Sequence, residues 1–573
     1  MTTSTLADYG FVLPRAGLAH SEEEAASLAR RIGLPVALKI QSADILHKTD
    51  IGGVELGIGS EAAVRAAHAR IMQRVAAEAP HATIDGVRVE EMVAGGFEII
   101  IGLKWDAQFG PVIMFGLGGI FTDLLEDVSF RVLPISRDDA AQMISEIKSA
   151  RILEGYRGQT PVDPELLVDL LMRVARFGLD LGDELESVDF NPIVVWGREH
   201  RVLDFKVGLG TGAVAEPGEL AGGPAAKFRP AFREVDTWYL ETFFAAKSVA
   251  VIGASATPGK IGYAVLESLS KFEYRGRVFP VNPGRSEVLG LPAYPTLGDI
   301  PEAVELVVCT VDLAMVPDLM RECASSGVHN LVVVSGGGKE LGGERAAIEA
   351  EVRRLSGELR VRVVGPNCIG VFDGRTRLDT FFQPQNRMTR PPGGKVAMLS
   401  QSGTTGIAFL EAMAPCGMSK FVSYGNRADV DEADLLSYLG DDPETEVIAL
   451  YVEGFENGRG FLGAAKAVAA DKPVVIFKSG RTPSAAKAAL THTGFLAGSY
   501  KVVEGAFRQA GLIAVDSYEE LVAVSKALAL QPQAAGPRVA MIGNGIGTTV
   551  QALDILGANG LELATLAPAT LDQ

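Results

Sequence analysis

The sequence predicts a multidomain α/β protein, and three observations carry that prediction. Short runs of buried-type residues alternate with amphipathic helical stretches along most of the chain, the rhythm of sheets wound with helices. Glycine is abundant, 65 of 573 residues, as many tight strand-to-helix turns require. Pro/Gly-rich, aperiodic stretches at 211–230, 383–394 and 531–537 read as linkers. They divide the chain into a first part over 1–212, a linker over 213–239, a second part over 240–382, a linker over 383–394, a third part over 395–530 and a short remainder over 537–573.

Taken in order, the first part opens on a helix signal. Ser21 followed by Glu24 has capping-box spacing, and Gly33 stands where a C-cap belongs. The apolar run at 35–40 then reads as a strand, interrupted by Lys39. In the second part the runs at 248–252, 278–281, 306–311, 330–335 and 361–364 read as buried strands with helical patterns between them, hence a parallel, doubly wound sheet. The third part repeats the rhythm with runs at 395–400, 446–452, 473–478 and 511–514. The remainder holds a strand, a helix and a second short strand; it is too small to bury its own core and reads as an incomplete α/β unit.

Composition removes several function classes. With 47% hydrophobic and 22% charged residues the chain has matter for several cores and is not disordered. Lys and Arg total 53 against 71 Asp and Glu, a net charge of −18, so a nucleic-acid partner is not expected. Anionic small ligands must then be held by helix N-termini, glycine loops and a few placed cations. The four cysteines (Cys309, Cys323, Cys368 and Cys416) form no CxxC pair, which argues against a thiolate zinc site or a disulfide framework and fits a reducing compartment. The first residues lack a leader pattern, and no uncharged apolar run reaches the ~18 residues of a membrane span. A cytoplasmic protein without a membrane partner is expected.

Four motifs carry chemistry. The stretch Gly253-Ala-Ser255-Ala-Thr-Pro258-Gly259-Lys260-Ile-Gly262 follows a strand run and opens a helix, so its amides should face a phosphate. A nicotinamide enzyme would want a second glycine at Ser255 and an acidic residue where Asn282 stands, so coenzyme A, with Lys260 supplying charge, fits better. Gly365-Pro-Asn367-Cys368-Ile-Gly370 follows another strand run and belongs at a ligand crevice; Cys368 has no histidine base near it in sequence and reads as a packed thiol. Ser400-Gln401-Ser402-Gly403 offers hydroxyls and free amides at a helix start, without the spacing of a hydrolase elbow. Lys478-Ser479-Gly480-Arg481 ends a strand run and precedes Thr491-His492-Thr493-Gly494, where a loop would present an imidazole nucleophile to a phosphoryl group. Each motif alone also reads as plain structure: a turn, a cap or a packed histidine.

In this order, however, the motifs over 240–573 resemble the CoA-binding, alpha-type part of the ADP-forming acyl-CoA synthetase family, relatives of succinyl-CoA synthetase. The first part resembles the same family's ATP-grasp, beta-type part, through Leu38-Lys39, the segment from Ile45 to Gly53, Glu90-Glu91-Met92-Val93, Glu98 to Gly102, Gly116-Leu-Gly118-Gly119, and Val188-Asp189-Phe-Asn191-Pro192 with Asp204 downstream. The resemblance implies an ATP-grasp part, a Rossmann-like CoA-binding domain, a flavodoxin-like ligase domain and the start of a second one at 537. It implies that Lys39 neutralises ATP phosphates, that Glu90 to Val93 lie at the adenine hinge, and that Asn191 and Asp204 hold Mg²⁺. Gly253, Ser255, Pro258, Lys260, Asn282 and Asn367 would serve coenzyme A, and the Ser400, Ser402 and Gly403 helix start would hold the transferred phosphate. His492 matches the family's phosphohistidine and Glu453 the glutamate that orients it. His47 resembles a second relay histidine of some members and reads equally as a loop histidine near the phosphates.

The implied reaction joins a carboxylic acid to CoA with ATP converted to ADP and phosphate, in a homo-oligomer, a dimer. The alternative is a CoA-binding regulatory or acyltransferase-type relative with a degenerate ligase site; such relatives often lose the phosphohistidine, whereas His492 and Glu453 are both present. A dehydrogenase ranks third. One departure is the order of parts, since many fused members begin with the CoA-binding domain. The acid itself is not legible.

Overall fold

The computed structural model describes residues 3–571 apart from 43, 46–47, 49–50, 94, 119–126, 156–158, 210–232, 272, 483, 486–498 and 533. His47, His492 and the linker at 211–230 therefore lie outside the described residues.

Among the described residues the first part holds two sheets. The smaller has strands β1 (Ala16–Ala19), β2 (Val36–Gln41), β3 (Val54–Ile58) and β4 (Gly86–Glu91) in the antiparallel order β1-β4-β2-β3. Helices Glu22–Ile32 and Glu61–Glu78 cover one face and bury Ala25, Ala29, Val64 and Ile71 with Val36, Leu38, Ile40, Val87 and Val89. Strand alternation then turns Lys39, Arg88 and Glu90 to the opposite face. The expected cap is present with a shift: Ser21 accepts the Glu24 N–H at 3.2 Å, while the Glu24 carboxylate accepts the N–H of His20, one residue early, at 2.7 Å. Gly33 ends the helix at φ 102°, a left-handed value that suits glycine.

The larger sheet comprises β5 (Phe97–Asp106), β6 (Gly110–Leu117), β7 (Val128–Val132), β8 (Leu185–Trp196), β9 (Glu199–Val202) and β10 (Phe205–Leu209), in the order β10-β8-β5-β6-β7 with β9 paired to β8. Helices Arg137–Glu146 and Pro164–Leu181 bury Ile99, Ile101, Leu103, Val188 and Phe190 on one face. Asp189 and Asn191 alternate with those core residues and so stand on the other.

The second part is a parallel sheet of β11 (Ser248–Ile252), β12 (Arg277–Val281), β15 (Leu306–Cys309), β16 (Asn330–Val333) and β17 (Arg362–Val364), with a small hairpin of β13 (Glu287–Val288) and β14 (Leu291–Pro292) after β12. Its order, β12-β11-β15-β16-β17, reverses direction between β11 and β15, the switch point at which doubly wound sheets hold ligands. The third part repeats the arrangement: β19 (Val396–Ser400), β20 (Lys420–Ser423), β21 (Val447–Val452), β22 (Val474–Lys478) and β23 (Ile513–Ala514) run parallel with a switch between β19 and β21. Strand β18 (Gly370–Asp373) joins that sheet antiparallel to β20, so chain read as the end of the second part edges the third. The remainder has β24 (Arg538–Val539) and β25 (Glu562–Leu563) around helix Ile546–Ala558, which buries none of its side chains.

The stretch 383–394, read from composition as a linker, is packed. Met388 is buried, Arg390 Nε lies 2.6 Å from Asp379 with both groups out of water, and Gly393 bridges to Met418. A buried ion pair overrides what Pro and Gly content suggests. Of the four cysteines, all are free and Cys309, Cys323 and Cys368 are buried; burial pushes the Cys368 thiol up to about 12, as a packed thiol requires. No helix among the described residues is long and apolar enough to cross a membrane.

The first and third parts share a core. Phe109, Val112 and Val132 pack in one cluster with Phe455, Phe461 and Phe507. Helix Tyr500–Gln509 lies on β7 so closely that a Cβ at Gly505 would come within 2.2 Å of the Phe130 carbonyl. Gln509 completes the contact: its Oε1 accepts the Val132 N–H at 2.8 Å and its amide donates to the Val132 carbonyl at 2.8 Å. Truncation would orphan both buried backbone groups, at about 1–3 kcal/mol for such a group. Gln509→Leu is therefore expected to destabilise the protein by about that amount, read as a lower Tm in calorimetry; an unchanged Tm would show that the clamp contributes nothing.

Candidate active site

The two sheets of the first part face each other across a charged cleft. Lys39 Nζ lies 2.6 Å from Glu90 Oε2, and Glu90 Oε1 accepts from Arg88 Nε at 2.6 Å. The same ammonium donates at 3.4 Å to the carbonyl of Leu203, the residue before Asp204, so a side chain of the small sheet reaches the large one. Asn191 and Asp204 are neighbours there: the Asn191 N–H donates to the Asp204 carbonyl at 3.2 Å, and both side chains are exposed. Burial pulls the Lys48 ammonium below its ordinary range, with Lys39 and Arg88 adding to the effect and Asp204 and Glu90 opposing it. Burial likewise raises Asp189, Lys206 opposing.

Lys39, Lys48, Arg88 and Lys206 thus surround a few hard oxygen donors. Among the described residues no group of three or more His, Cys, Asp or Glu side chains forms a metal cage. Two protein oxygens fit Mg²⁺ all the same, because that ion keeps waters and takes phosphate oxygens for the rest of its shell. The Glu90 carboxylate is committed to Lys39 and Arg88, and the half-buried Val93 lies just past β4.

The loop after β11 stands at the second part's switch point. Gly253 has φ +81°, and a Cβ at Gly262 would meet its carbonyl oxygen at 2.1 Å, so helix Ile261–Lys271 is seated directly on the strand end. Ser255 Oγ accepts the Thr257 N–H at 3.1 Å, and Pro258 and Lys260 are exposed at the mouth. Asn282 braces the loop: its amide donates to the Ala254 carbonyl at 2.8 Å and its Oδ1 accepts the Gly284 N–H at 2.8 Å. Asn367, exposed and left-handed at φ 58°, donates from its N–H to the Ser335 carbonyl at 2.8 Å and from its amide to Asn426 at 3.4 Å. It therefore sits where the second part's crevice meets the third's.

At the third part's switch point, Ser402 caps helix Gly403–Met413 by accepting the Thr405 N–H at 3.4 Å. Ser400 is fully buried and its hydroxyl donates inward to the Ser402 carbonyl at 2.6 Å, so the groups that could seat an anion here are the helix-start amides with the Ser402 and Thr405 hydroxyls. Glu453 follows β21 directly. Its N–H donates to Gln401 Oε1 at 2.7 Å, and the Tyr451 hydroxyl donates to its carboxylate at 3.4 Å. Arg427, without access to water, donates to the next carbonyl, that of Gly454, at 2.6 Å while pairing with Glu432 at 3.1 Å. Lys478 ends the adjacent strand, buried; its ammonium donates to the Ser479 carbonyl, and burial lowers its pKa to about 8 against the attraction of Glu453.

The chain that builds these crevices matches known proteins. The sequence matches the families described as ATP-grasp domain over residues 2–209, CoA binding domain over 247–373 and succinyl-CoA ligase like flavodoxin domain over 393–528. It is 36% identical to acetate–CoA ligase [ADP-forming] II of Archaeoglobus fulgidus in an alignment covering 99% of this chain and 80% of that one.

The chain belongs to the ADP-forming acyl-CoA synthetase family.

It is thus an acid–thiol ligase of α/β architecture, and the order of its parts is shared with that relative along the whole alignment. In Pyrococcus furiosus, acetate–CoA ligase [ADP-forming] I is divided: its subunit beta is 45% identical over 35% of this chain and 85% of its own, and its subunit alpha 39% identical over 56% and 71%. The structure of Ca. Korarchaeum cryptofilum dinucleotide forming acetyl-coenzyme A synthetase 1 in complex with phosphate and ADP is 37% identical, with a TM-score of 0.55 over 58% of this chain and 71% of that one.

Within this synthetase the structure groups Lys39, Glu90, Asn191 and Asp204 in one cleft, Gly253, Ser255, Lys260 and Asn282 around one loop, and Ser402, Gly403 and Glu453 at one switch point. Sequence reasoning assigned nothing to Lys48 or Lys478. The signal for Lys478 was a lone charge ending the apolar run Val474–Phe477, at the edge of a crevice. The folded lysine holds its proton less tightly than the free side chain, whose ordinary value is 10.5. Between about pH 8 and 10.5 the unfolded chain binds more protons, so this group's contribution to stability rises with pH through that window and is lost below it. Lys478→Met is expected to raise Tm most below pH 8 and by a shrinking margin toward pH 10.5. A Tm gain that grows with pH would overturn the assignment.

Proposed function

We propose that the chain interconverts a carboxylic acid, CoA and ATP with an acyl-CoA, ADP and phosphate, with His492 carrying the phosphoryl group. In the ligation direction the His492 imidazole attacks the γ-phosphorus of ATP and ADP leaves. The phosphoryl group then passes to the carboxylate, giving an acyl phosphate and free imidazole. The CoA thiol finally displaces phosphate, its proton leaving with the departing group or solvent. The observation that carries this reading is Glu453, held by Gln401 beside the open helix start at Ser402. A carboxylate on one ring nitrogen fixes the tautomer and leaves the other nitrogen free to attack phosphorus. The amides at Gly403 receive the phosphoryl oxygens, and the Lys478 ammonium offsets their charge.

Lys39 and Lys48 draw the triphosphate into the cleft of the first part. Asn191 and Asp204 would hold Mg²⁺, which when bound neutralises phosphate charge. The loop Gly253–Lys260 takes the phosphates of CoA, and Asn367 lies where the thiol end would enter the ligase crevice. A cytoplasmic homodimer acting on a small carboxylic acid completes the proposal; the free cysteines fit a reducing compartment.

Incubation with γ-labelled ATP and Mg²⁺ is expected to give an acid-labile, base-stable phosphoenzyme that His492→Ala does not form. A variant that turns over normally would sink the relay, whereas a parent chain that forms neither phosphoenzyme nor acyl-CoA would favour the degenerate-site alternative. Asp204→Asn is expected to weaken Mg²⁺-dependent ATP binding at least ~10-fold, on the scale of a lost charge-assisted contact, and to leave CoA binding intact. Calorimetric titration with each ligand checks this, and the opposite pattern overturns the assignment.

A further inference from the structure

We infer that Gln108, in the nucleotide-binding half, is a positioning residue for Glu453 in the ligase half. The inference rests on the proposed role of Glu453 toward His492.

Three consecutive residues after β21 are each held by a buried side chain from a different element. The Glu453 N–H donates to Gln401 Oε1 at 2.7 Å, the Gly454 carbonyl accepts from Arg427 Nη1 at 2.6 Å, and the Phe455 N–H donates to Gln108 Oε1 at 2.9 Å. Gln401 and Arg427 belong to the third part itself. Gln108 comes from the turn between β5 and β6, 347 positions away in the chain.

That turn is built to deliver it. Asp106 Oδ1 accepts the N–H groups of Gln108 at 2.8 Å and Phe109 at 3.0 Å, and Gly110 follows at φ 76°. Gln108 is only 5% exposed. Phe109 packs on Phe455 at 5.6 Å between ring centroids, and Phe455 stacks on Phe461 at 4.4 Å. A Cβ at Gly458 would come within 2.4 Å of the Gln108 carbonyl, so only glycine lets the loop approach this far. A buried N–H that loses its acceptor seeks another or moves toward water. Two residues upstream of that N–H lies the carboxylate whose placement sets the ring of His492. Misplacement of a reacting group by about 1 Å costs roughly 100-fold in rate. The ligase centre is therefore completed by the half that binds the nucleotide.

The test compares Gln108→Met, which keeps the packing volume and removes the acceptor, with Gln108→Glu, which keeps a carboxylate oxygen for the same N–H. Enzyme phosphorylated with labelled ATP is chased with acid and CoA in single turnover, using acetate as the probe. Gln108→Met is expected to slow the chase by roughly 10- to 100-fold, with ATP and CoA dissociation constants within about 2-fold of the parent, and Gln108→Glu to recover most of the rate. In a Glu453→Gln background the Gln108→Met effect should disappear, because both act on one group.

An unchanged chase, a loss confined to ligand affinity, a slowing matched by a loss of folded protein, or an undiminished effect in the Glu453→Gln background would each overturn the inference. If Glu453→Gln itself chases at the parent rate, the reading of Glu453 fails instead, and the inference with it.

Discussion

The ligase crevice depends on a guanidinium that never meets water. Arg427 is 1% exposed, adopts a left-handed backbone at φ 58°, and spends one nitrogen on both oxygens of the equally buried Glu432 and on the Gly454 carbonyl. Burial acts to raise the Glu432 carboxyl and the guanidinium opposes it, so each group makes the other's burial tolerable. A pair of this kind adds little net stability compared with well-packed apolar residues, but it is unforgiving of displacement: pulling either member away leaves an uncompensated charge. The loop bearing Glu453 is thereby tied to the end of β20, and the switch point between β19 and β21 acquires a fixed wall.

Around that wall the fold uses the same solution twice. Both parallel sheets reverse their strand order after the first strand, and both place a helix start beside the reversal, at Gly253–Lys260 and at Ser402–Gly403. Asn367 and Asn426 meet between them, and the close approach of Gly425 to the Pro366 and Asn367 carbonyls, 2.3 Å for a Cβ there, leaves no gap between the two crevices. Strand β18 strengthens the junction by carrying chain from one sheet into the edge of the other. The thiol end of a CoA held at one crevice and an acyl phosphate formed at the other would then meet without a long excursion.

Much of this was legible in the sequence for a simple reason. Parallel strands buried on both faces read as continuous apolar runs, so β11, β19, β21 and β22 were located to within a residue or so, and the glycine-rich loop after β11 announced its turn. Ser402 and Glu453 were singled out by the family resemblance, and the fold sets them at one switch point. What was hidden depends on contacts distant in sequence. The burial of Lys48, the reach of Lys39 to Leu203 and the pairing of Arg390 with Asp379 are properties of the assembled fold, and in the last case they turned an apparent linker into packed chain. Ser400 shows the converse: its residue type suits a phosphate, yet position at a strand end sends its hydroxyl inward. Gln108 gave no signal at all, since an isolated glutamine in a hairpin turn has no pattern to recognise.

The shared aromatic core of Phe109, Phe455, Phe461 and Phe507 has a consequence for how such enzymes are encoded. In Pyrococcus furiosus the corresponding halves of a relative are separate subunits, and there they must find each other in solution. Here one covalent chain carries both, so their encounter is intramolecular and does not depend on the concentration of a second chain. Dilution that would separate two subunits leaves this junction closed, and every copy made carries one nucleotide half for each ligase half.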